Sequence, residues 1–315
     1  MRTILITGIG GDIAQSIATI LIESYPEIRL IGTDISTRHA GYLLVNKVFI
    51  MPVATSEKYL DSMRALIKEQ SVDIVIPTNE QELSVFSPLI DELGEDRCIT
   101  AGVKVLDIGL DKLKTKKFIA SLGIPVPWTI SAEENKPLKF PCIFKARSGS
   151  GSKNIFKVDS QDEVSFLVGK YPHSIFQESL EPEGQEVTCA VYRTRDGRIS
   201  VLQLLRKLTE GTTSWAKVIN NKEALEMCIK IAKGAALQGS MNIQLILTDS
   251  GPRIFEINPR FSSTVLMRHK LGFCDLLWSL DEIKGLNINF PSIEVGKCMV
   301  RTQGVSFFSH GKSNE

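Results

Sequence analysis

The first hundred residues alternate short apolar runs with amphipathic stretches. Runs that predict strands lie at residues 3–6, 28–31, 47–51 and 72–76. Helical stripes lie at Ile13, Ile17, Ile20 and Leu21, and again at Leu60, Met63 and Ile67. The change of period between two and 3.6 residues separates the strands from the helices. This β-α-β rhythm predicts a parallel sheet covered by helices.

The pattern changes after residue 108. Asp111 is predicted to cap a helix that runs to about Leu122. Strands dominate from residue 140 onward, and residues 185–194 and 199–207 flank an Asp-Gly pair, which is a strong hairpin signal. A helix with the stripe Leu225, Ile229, Ala232 and Ala236 follows, then two strands, short helices and a polar tail from Ser309. The second part therefore predicts antiparallel sheets with few helices.

Composition and charge narrow the class of protein. The chain has 315 residues, which predicts two or three structural units. Its 37 basic and 36 acidic residues nearly cancel, so nothing favours a nucleic-acid or membrane-surface partner. No apolar run approaches the roughly 20 residues that span a bilayer. The six cysteines stand singly, which argues against a zinc site or a disulfide framework and favours a cytoplasmic location.

The glycines near the N-terminus suggest one alternative function. Gly8, Gly10 and Gly11 follow the first strand, and Asp34 follows the second, as in an NAD-binding Rossmann unit. The third glycine of that fingerprint is replaced by Ile13. The favoured interpretation is a turn that lets strand and helix pack closely. The same loop would also be suited to an anionic substrate at the helix N-terminus.

A second glycine-rich loop begins just after Lys145. It reads Arg147-Ser148-Gly149-Ser150-Gly151-Ser152 and lies between residues 141–145 and 154–158, which predict antiparallel strands. This order differs from the strand-to-helix P-loop. An ordinary hairpin tip is one interpretation. Lys145 and Arg147 favour the other, a loop whose backbone amides close over phosphate.

The most informative residues form a predicted hairpin. Asn242, Gln244 and Ile246 share one face of its first strand, and Ile254, Glu256 and Asn258 share one face of its second. A hairpin centred on Ser250 places Gln244 opposite Glu256 and Asn242 opposite Asn258. Carboxylate and amide oxygens suit Mg²⁺, and Arg260 follows at once. A solvated polar face is the alternative, but such faces are usually Lys/Glu mixtures.

Taken in order, these segments resemble the ATP-grasp superfamily, especially its carbamoyl-phosphate-synthase-like branch, over about two-thirds of the chain. The matching segments are Asp111-Lys112, residues 123–127, Lys145 with residues 147–152, residues 177–180, residues 184–187, Asn242-x-Gln244 and Glu256-x-Asn258-Pro259-Arg260. The resemblance implies a mixed α/β (overall α+β) chain, in which a Rossmann-like domain precedes a two-lobed ATP-grasp fold. The implied segments are 1–108, 109–180 and 181–308, with 309–315 as a tail.

The resemblance also implies roles. ATP would be bound through its phosphates by Lys112, Lys145 and the loop residues Ser148, Gly149, Ser150, Gly151 and Ser152. Glu178, Ser179 and Leu180 would contact adenine, and Glu186 would hold the ribose hydroxyls. Mg²⁺, with Mn²⁺ as an alternative, would be held by Gln244, Glu256 and Asn258. Arg206, Lys207 and Arg260 would face the transferred phosphate or the acyl phosphate. The partners would be a small carboxylate and a nucleophile, and a homodimer is common in the family.

Departures from the family pattern guide the choice of reaction. Phe261 and Ser262 follow Arg260, where carbamoyl-phosphate synthases commonly carry a second arginine, so bicarbonate or carbamate is disfavoured as substrate. With one ATP site and no second synthetase half, we expect a stand-alone carboxylate–amine or carboxylate–thiol ligase. Three alternatives stay open: a carbamoyl-phosphate-synthase-like enzyme, an NAD-dependent oxidoreductase and a non-catalytic nucleotide-binding protein.

Overall fold

The computed structural model describes residues 2–134, 136–149, 154–182, 184–302, 304 and 306. The contacts divide them into two compact units. One unit contains the residues up to Thr100, residues 263–289 and the described residues from Val300 onward. The other contains residues 101–262 and 290–299. Residues 263–289 thus group with the N-terminal sheet rather than with the preceding hairpin, while the boundaries of the four predicted segments stay predictions.

The first unit is built on a parallel four-stranded sheet in the order β3-β2-β1-β4. Its strands are β1 (Thr3–Thr7), β2 (Arg29–Asp34), β3 (Lys47–Ile50) and β4 (Ile74–Ile76). Its helices are α1 (Asp12–Ser24), α2 (Tyr59–Glu69), α3 (Glu80–Leu83), α4 (Ser87–Leu93), α9 (Val265–Lys270) and α10 (Asp275–Ile283), with a 3-10 turn at Ala40–Leu43. Every residue of β1 is buried, as expected for a parallel strand covered on both faces. The predicted parallel sheet is confirmed.

The second unit contains a small antiparallel sheet in the order β5-β8-β6-β7. Its strands are β5 (Thr129–Ser131), β6 (Cys142–Ala146), β7 (Phe156–Val158) and β8 (Ser174–Glu178), and α7 (Gln161–Lys170) packs against it. Helices α5 (Val103–Gly109) and α6 (Lys112–Ser121) precede this sheet in the chain. The predicted N-cap is confirmed, because the Asp111 carboxylate accepts hydrogen bonds from the backbone amides of Leu113 and Lys114.

The same unit contains a six-stranded sheet in the order β13-β12-β9-β10-β11-β14. Its elements are β9 (Glu186–Arg193), β10 (Ile199–Thr209), β11 (Thr212–Ile219), α8 (Lys222–Gly234), β12 (Gly239–Thr248), β13 (Gly251–Asn258) and β14 (Cys298–Val300). The predicted β9–β10 hairpin is confirmed. Alternate residues of β9 and β12 pack against α8 in one apolar core.

The predicted stripe of α8 is confirmed at Ala232 but is otherwise wrong, since Leu225 and Ile229 are only half-buried. Its buried face consists of Ala224, Met227, Cys228, Ile231 and Ala232, whereas Ala236 lies beyond the helix and is exposed. Both stripes repeat at helical spacing, so the sequence pattern alone did not decide between them. Among the described residues, no helix has the length and apolar character needed to cross a membrane.

Candidate functional site

The hairpin formed by β12 and β13 has the predicted register at its polar residues, although nearer the turn the pairing is shifted by one residue, since Leu247 rather than Thr248 lies opposite Pro252. Gln244 lies opposite Glu256, and Asn242 lies opposite Asn258. Residues facing each other across an antiparallel pair have Cβ atoms about 5 Å apart. One carboxylate and three side-chain amides therefore share a short stretch of one sheet face.

A β-bulge lies next to these residues. Gln244 pairs with Glu256 while Leu245 pairs with Ile254, so Phe255 is an extra residue on β13. The prediction that Ile254 shares a face with Glu256 is wrong. Ile254 and Ile257 both pack in the apolar core, three positions apart, because the extra residue shifts the alternation. The bulge thus keeps Ile254 in the core while Glu256 faces the polar groups.

The two asparagines of the hairpin are buried polar groups. The Thr188 hydroxyl donates to Oδ1 of Asn242 at 2.8 Å, and the Arg260 guanidinium donates to Oδ1 of Asn258 at 3.3 Å. Nδ2 of each asparagine is buried and has no hydrogen-bond partner among the described residues. Buried amide donors usually have acceptors, so this face retains unused hydrogen-bonding capacity.

Two lysines approach the acid of the hairpin. Lys112 begins α6, and its ammonium lies 3.7 Å from Oε1 of Glu256 and donates to the Gly149 carbonyl at 2.9 Å. Lys145 on β6 is buried, and its ammonium lies 5.2 Å from the centre of the Phe255 ring. Residues from α6, β6 and β13 therefore bring two cations and one carboxylate together.

Burial and charge shift the pKa values of these groups. Desolvation, together with the charge of Lys112, lowers the pKa of Lys145 to about 8, although the charges of Glu256 and Glu186 act to raise it. Burial by itself would raise the pKa of the Glu256 carboxyl. The charges of Lys112, Lys145, Arg260 and Arg206 outweigh that effect and hold this pKa below its ordinary value. Glu256 is therefore ionised at neutral pH.

The two basic residues predicted to act from β10 point to opposite faces of the strand. Arg206 is buried and pairs with Glu186, its Nε donating to Oε1 at 3.0 Å, and its charge reaches Glu256. Lys207 is exposed and lies opposite Trp215. Consecutive strand residues point to opposite faces, which explains the difference. The structure therefore places Arg206, but not Lys207, with the other candidates. Glu186, predicted to bind ribose, lies within this ion pair.

The glycine-rich loop is described only at its base. Ser148 and Gly149 are exposed, while Ser150, Gly151 and Ser152 lie outside the described residues. The Arg147 guanidinium pairs with Asp111, with Nε donating to both carboxylate oxygens at 3.0 Å. The interpretation of Arg147 as a phosphate-facing charge is therefore not supported, because Asp111 neutralises it.

The segment predicted to bind adenine follows β8. The backbone of Glu178 pairs with that of Trp128, and its carboxylate accepts from the Trp128 amide at 3.2 Å. Ser179 and Leu180 come next and are half-buried. Both the backbone and the carboxylate of Glu178 therefore bind the residue that precedes β5. Its contact with adenine stays a prediction.

The donor set fits a hard divalent cation. Gln244, Glu256 and Asn258 supply two amide oxygens and one ionised carboxylate from facing positions. Magnesium is typically held by one or two carboxylates together with substrate phosphates. Arg260 contacts Oδ1 of Asn258 at a long 3.3 Å, and a carbonyl oxygen has two lone pairs, so this oxygen keeps the capacity to bind a metal ion. These residues therefore suit Mg²⁺ bound with a nucleotide.

Comparison with known families adds a direct assignment. Residues 110–264 match the ATP-grasp domain family, and residues 4–101 match the PylC-like N-terminal domain family. The chain carries an ATP-grasp domain. The predicted resemblance is confirmed, and the ATP-grasp match spans every candidate residue of the site.

Two kinds of ATP-dependent enzyme are similar to this chain in sequence. A carbamoyl-phosphate synthase from Methanobrevibacter smithii is 24% identical over 70% of this chain and 65% of its own length. A D-alanine–D-alanine ligase from Corynebacterium jeikeium is 27% identical over 59% of each chain. The chain thus spans less than two-thirds of the length of these relatives.

A solved structure shows the same fold. The ADP complex of N5-carboxyaminoimidazole synthetase from Staphylococcus aureus superposes with a TM-score of 0.76. The match covers 94% of this chain and 80% of the other, at 18% identity. The predicted fold class, an α/β N-terminal domain followed by an ATP-grasp domain, is confirmed.

The N-terminal glycine loop, outside the ATP-grasp domain, has a structural explanation. Oδ2 of Asp34 accepts from the Gly10 amide at 2.8 Å, and Oδ1 accepts from the Ile35 amide at 2.8 Å. A Cβ at Gly10 would lie 2.9 Å from the same carboxylate, so glycine allows this close approach. Asp34 is therefore engaged in holding the loop, which weakens its interpretation as a ribose-binding acid.

Proposed function

We propose that this protein is an ATP- and Mg²⁺-dependent ligase that activates a substrate carboxylate as an acyl phosphate. The observation that carries the proposal is the charge pattern around Glu256. Four basic residues, namely Lys112, Lys145, Arg206 and Arg260, lie around only two carboxylates, Glu256 and Glu186, so positive charge is in excess even after the Arg206–Glu186 pair is counted. A buried excess of positive charge calls for a polyanionic ligand, and the triphosphate of ATP supplies one.

In this proposal the basic residues act on the phosphates. Lys112 and Lys145 bind phosphate oxygens, while Arg260 and Arg206 balance the charge that spreads over the transferred phosphoryl group. Gln244, Glu256 and Asn258 would hold Mg²⁺, which when bound would supply charge neutralisation to the phosphates. The substrate carboxylate attacks the γ-phosphorus, the bond to the β-phosphate oxygen breaks and ADP leaves, and a nucleophile then displaces phosphate from the acyl carbon. No side-chain nucleophile is required.

The names of the relatives support the acyl phosphate. Carbamoyl phosphate is itself a mixed anhydride of a carboxylic acid and phosphate, and the synthase is named for making it. The other relative is named for joining two D-alanine molecules. An amino acid as the carboxylate and an amine as the nucleophile therefore form the first pair to test. Bicarbonate is the competing substrate.

The first test is nucleotide binding by Glu256→Gln. This substitution keeps the shape of the side chain and removes the charge that would hold Mg²⁺. We expect ATP with Mg²⁺ to raise the melting temperature of the parent, and the affinity of the variant to fall on the order of a hundredfold. Glu226→Gln on the exposed side of α8 is the matched control and should bind like the parent.

Two results would reject this proposal. Equal affinity of the parent and Glu256→Gln for ATP with Mg²⁺ would remove the metal assignment. Stabilisation of the parent by NAD, and none by ATP, would favour the oxidoreductase alternative.

A screen of ADP release against amino acids and bicarbonate then identifies the carboxylate. A cytoplasmic location, which the singly placed cysteines suggest, and a homodimer, which the resemblance suggests, are further proposals, and light scattering on purified protein tests the second.

A further inference from the structure

Phe255 is the extra residue of the bulge on β13, and the proposed chemistry gives it no role. It lies between Ile254, which is in the core, and Glu256, which faces the polar groups. Bulges often turn a neighbouring side chain toward a functional site. The position of the Phe255 ring is therefore tied to the feature that orients Glu256.

The ring faces the ammonium of Lys145. The distance from Nζ to the ring centre is 5.2 Å, within the range of a cation–π contact. Lys145 is only 6% exposed, so its ammonium has lost most of its water. The negative face of an aromatic ring attracts a desolvated cation without accepting its proton or forming an ion pair. The ring thus holds the charge in place and leaves the N–H groups available to a phosphate.

The backbone of Phe255 is fixed from another side. Nε2 of Gln177 lies 3.5 Å from the Phe255 carbonyl and donates to the Thr129 hydroxyl at 3.0 Å. Gln177 is buried and belongs to β8, so it joins the small sheet to the bulge. Ring and carbonyl are therefore both held by strands of the small sheet, β6 through Lys145 and β8 through Gln177.

We infer that Phe255 is a positioning residue for nucleotide phosphate, acting through Lys145, which its ring holds beside Glu256. This inference rests on the proposed function, since it assumes that Lys145 binds phosphate. It goes further by assigning part of the ATP affinity to a residue that touches neither the metal nor the phosphates. It also requires an aromatic side chain at this position.

The test is a double-mutant cycle on ATP binding in the presence of Mg²⁺, measured by calorimetry. The variants are Phe255→Leu, Lys145→Met and the combination. We expect Phe255→Leu alone to weaken binding about tenfold, and to have little further effect in the Lys145→Met background. Phe255→Tyr keeps the ring and should bind within about twofold of the parent. Thermal unfolding checks that each variant folds.

A matched control comes from an exposed pair of the same kind. Lys170 lies 5.4 Å from the ring centre of Phe166, which is 66% exposed on α7. Phe166→Leu removes a ring beside a lysine without touching the site and should leave ATP affinity unchanged. A parent that binds ATP, with losses that add in the double variant or with no loss in Phe255→Leu, would overturn the inference alone. A parent that fails to bind ATP would overturn the proposed function and the inference with it.

Discussion

Lys145 carries an amine at a place that little water reaches. Burial lowers its pKa from 10.5 to about 8, so between these pH values the unfolded chain binds a proton that the folded chain does not. Stability contributed by this residue therefore rises with pH across that window. Raised pKa values of Tyr59 and Cys98 act in the opposite direction, but they are shared by the parent and by a Lys145 variant.

Unfolding by urea at several pH values tests this prediction. Below about pH 8 the Lys145→Met variant should gain stability relative to the parent, because it avoids a buried charge. That relative gain should shrink by up to roughly 3 kcal/mol as the pH approaches the ordinary lysine value. A stability difference that stays constant with pH would show that Lys145 does not titrate as the structure indicates.

Arg268 and Asp275 form a completely buried ion pair in the N-terminal unit. Nε of Arg268 donates to Oδ1 of Asp275 at 3.0 Å, and both side chains are 0% exposed. Asp275→Asn leaves the arginine charge without its counterion and should lower the free energy of unfolding by about 3–5 kcal/mol. Replacing both residues together, with Arg268→Met and Asp275→Leu, should cost less. Equal stability of Asp275→Asn and the parent would contradict this.

At the residue scale, the sequence pointed to the candidate metal ligands but not to the residues that contact and support them. Gln244, Glu256 and Asn258 could be named because amides and an isolated acid are unusual on an alternating strand. The pairing of Arg147 with Asp111 and the contact of Phe255 with Lys145 join residues far apart in the chain. No local spacing encodes such contacts, so only the folded chain reveals them.

Among the elements, α6 is connected to the candidate site through its N-cap residue, Asp111. Asp111 caps the helix and binds Arg147, whose carbonyl accepts from the Lys112 amide at 3.1 Å. Burial opposes ionisation of Asp111, but Arg147 and the backbone amides hold its pKa below the ordinary value. The start of α6 and the base of the glycine-rich loop are therefore fixed together.

A comparison of two caps separates stability from binding. Asn221 caps α8 by accepting from the Ala224 amide, as Asp111 caps α6. Replacing either residue by alanine should cost about 1 kcal/mol of stability. Only Asp111→Ala should also weaken ATP binding, because it frees Arg147 and the neighbouring Lys112. Equal ATP affinity of the two variants would refute the link between cap and site.

The β12–β13 hairpin was predictable from the sequence in part. A turn centred on Ser250 predicted the pairing of Gln244 with Glu256, but the strands pair up to Thr248 and Gly251, and the bulge restores the predicted pairing at the polar residues. The bulge was not readable in the sequence, because Ile254, Phe255 and Ile257 fit either alternation until the core selects which of them are buried. The stripe of α8 was misplaced for the same reason, since apolar residues on two adjacent helix faces compete for one core.

At the scale of the whole molecule, all the candidate site residues lie within the ATP-grasp domain, residues 110–264. The N-terminal sheet was predictable from its β-α-β rhythm, and its glycine turn holds Asp34 in place. The assignment of residues 263–289 to that unit was not predictable, since a chain that returns to an earlier unit leaves no local pattern. The charge balance of the complete chain likewise hides the local excess of cations near Glu256.

The central claim is that a carboxylate oxygen attacks the γ-phosphoryl group of ATP. The direct measurement uses a carboxylate found by the ADP-release screen and labelled with ¹⁸O, with the released phosphate analysed by mass spectrometry. An acyl phosphate keeps one labelled oxygen between carbon and phosphorus, and the nucleophile then expels that oxygen with the phosphate. The account predicts phosphate that carries one ¹⁸O for each ADP formed. Unlabelled phosphate, released at the same rate with or without the carboxylate, would contradict it.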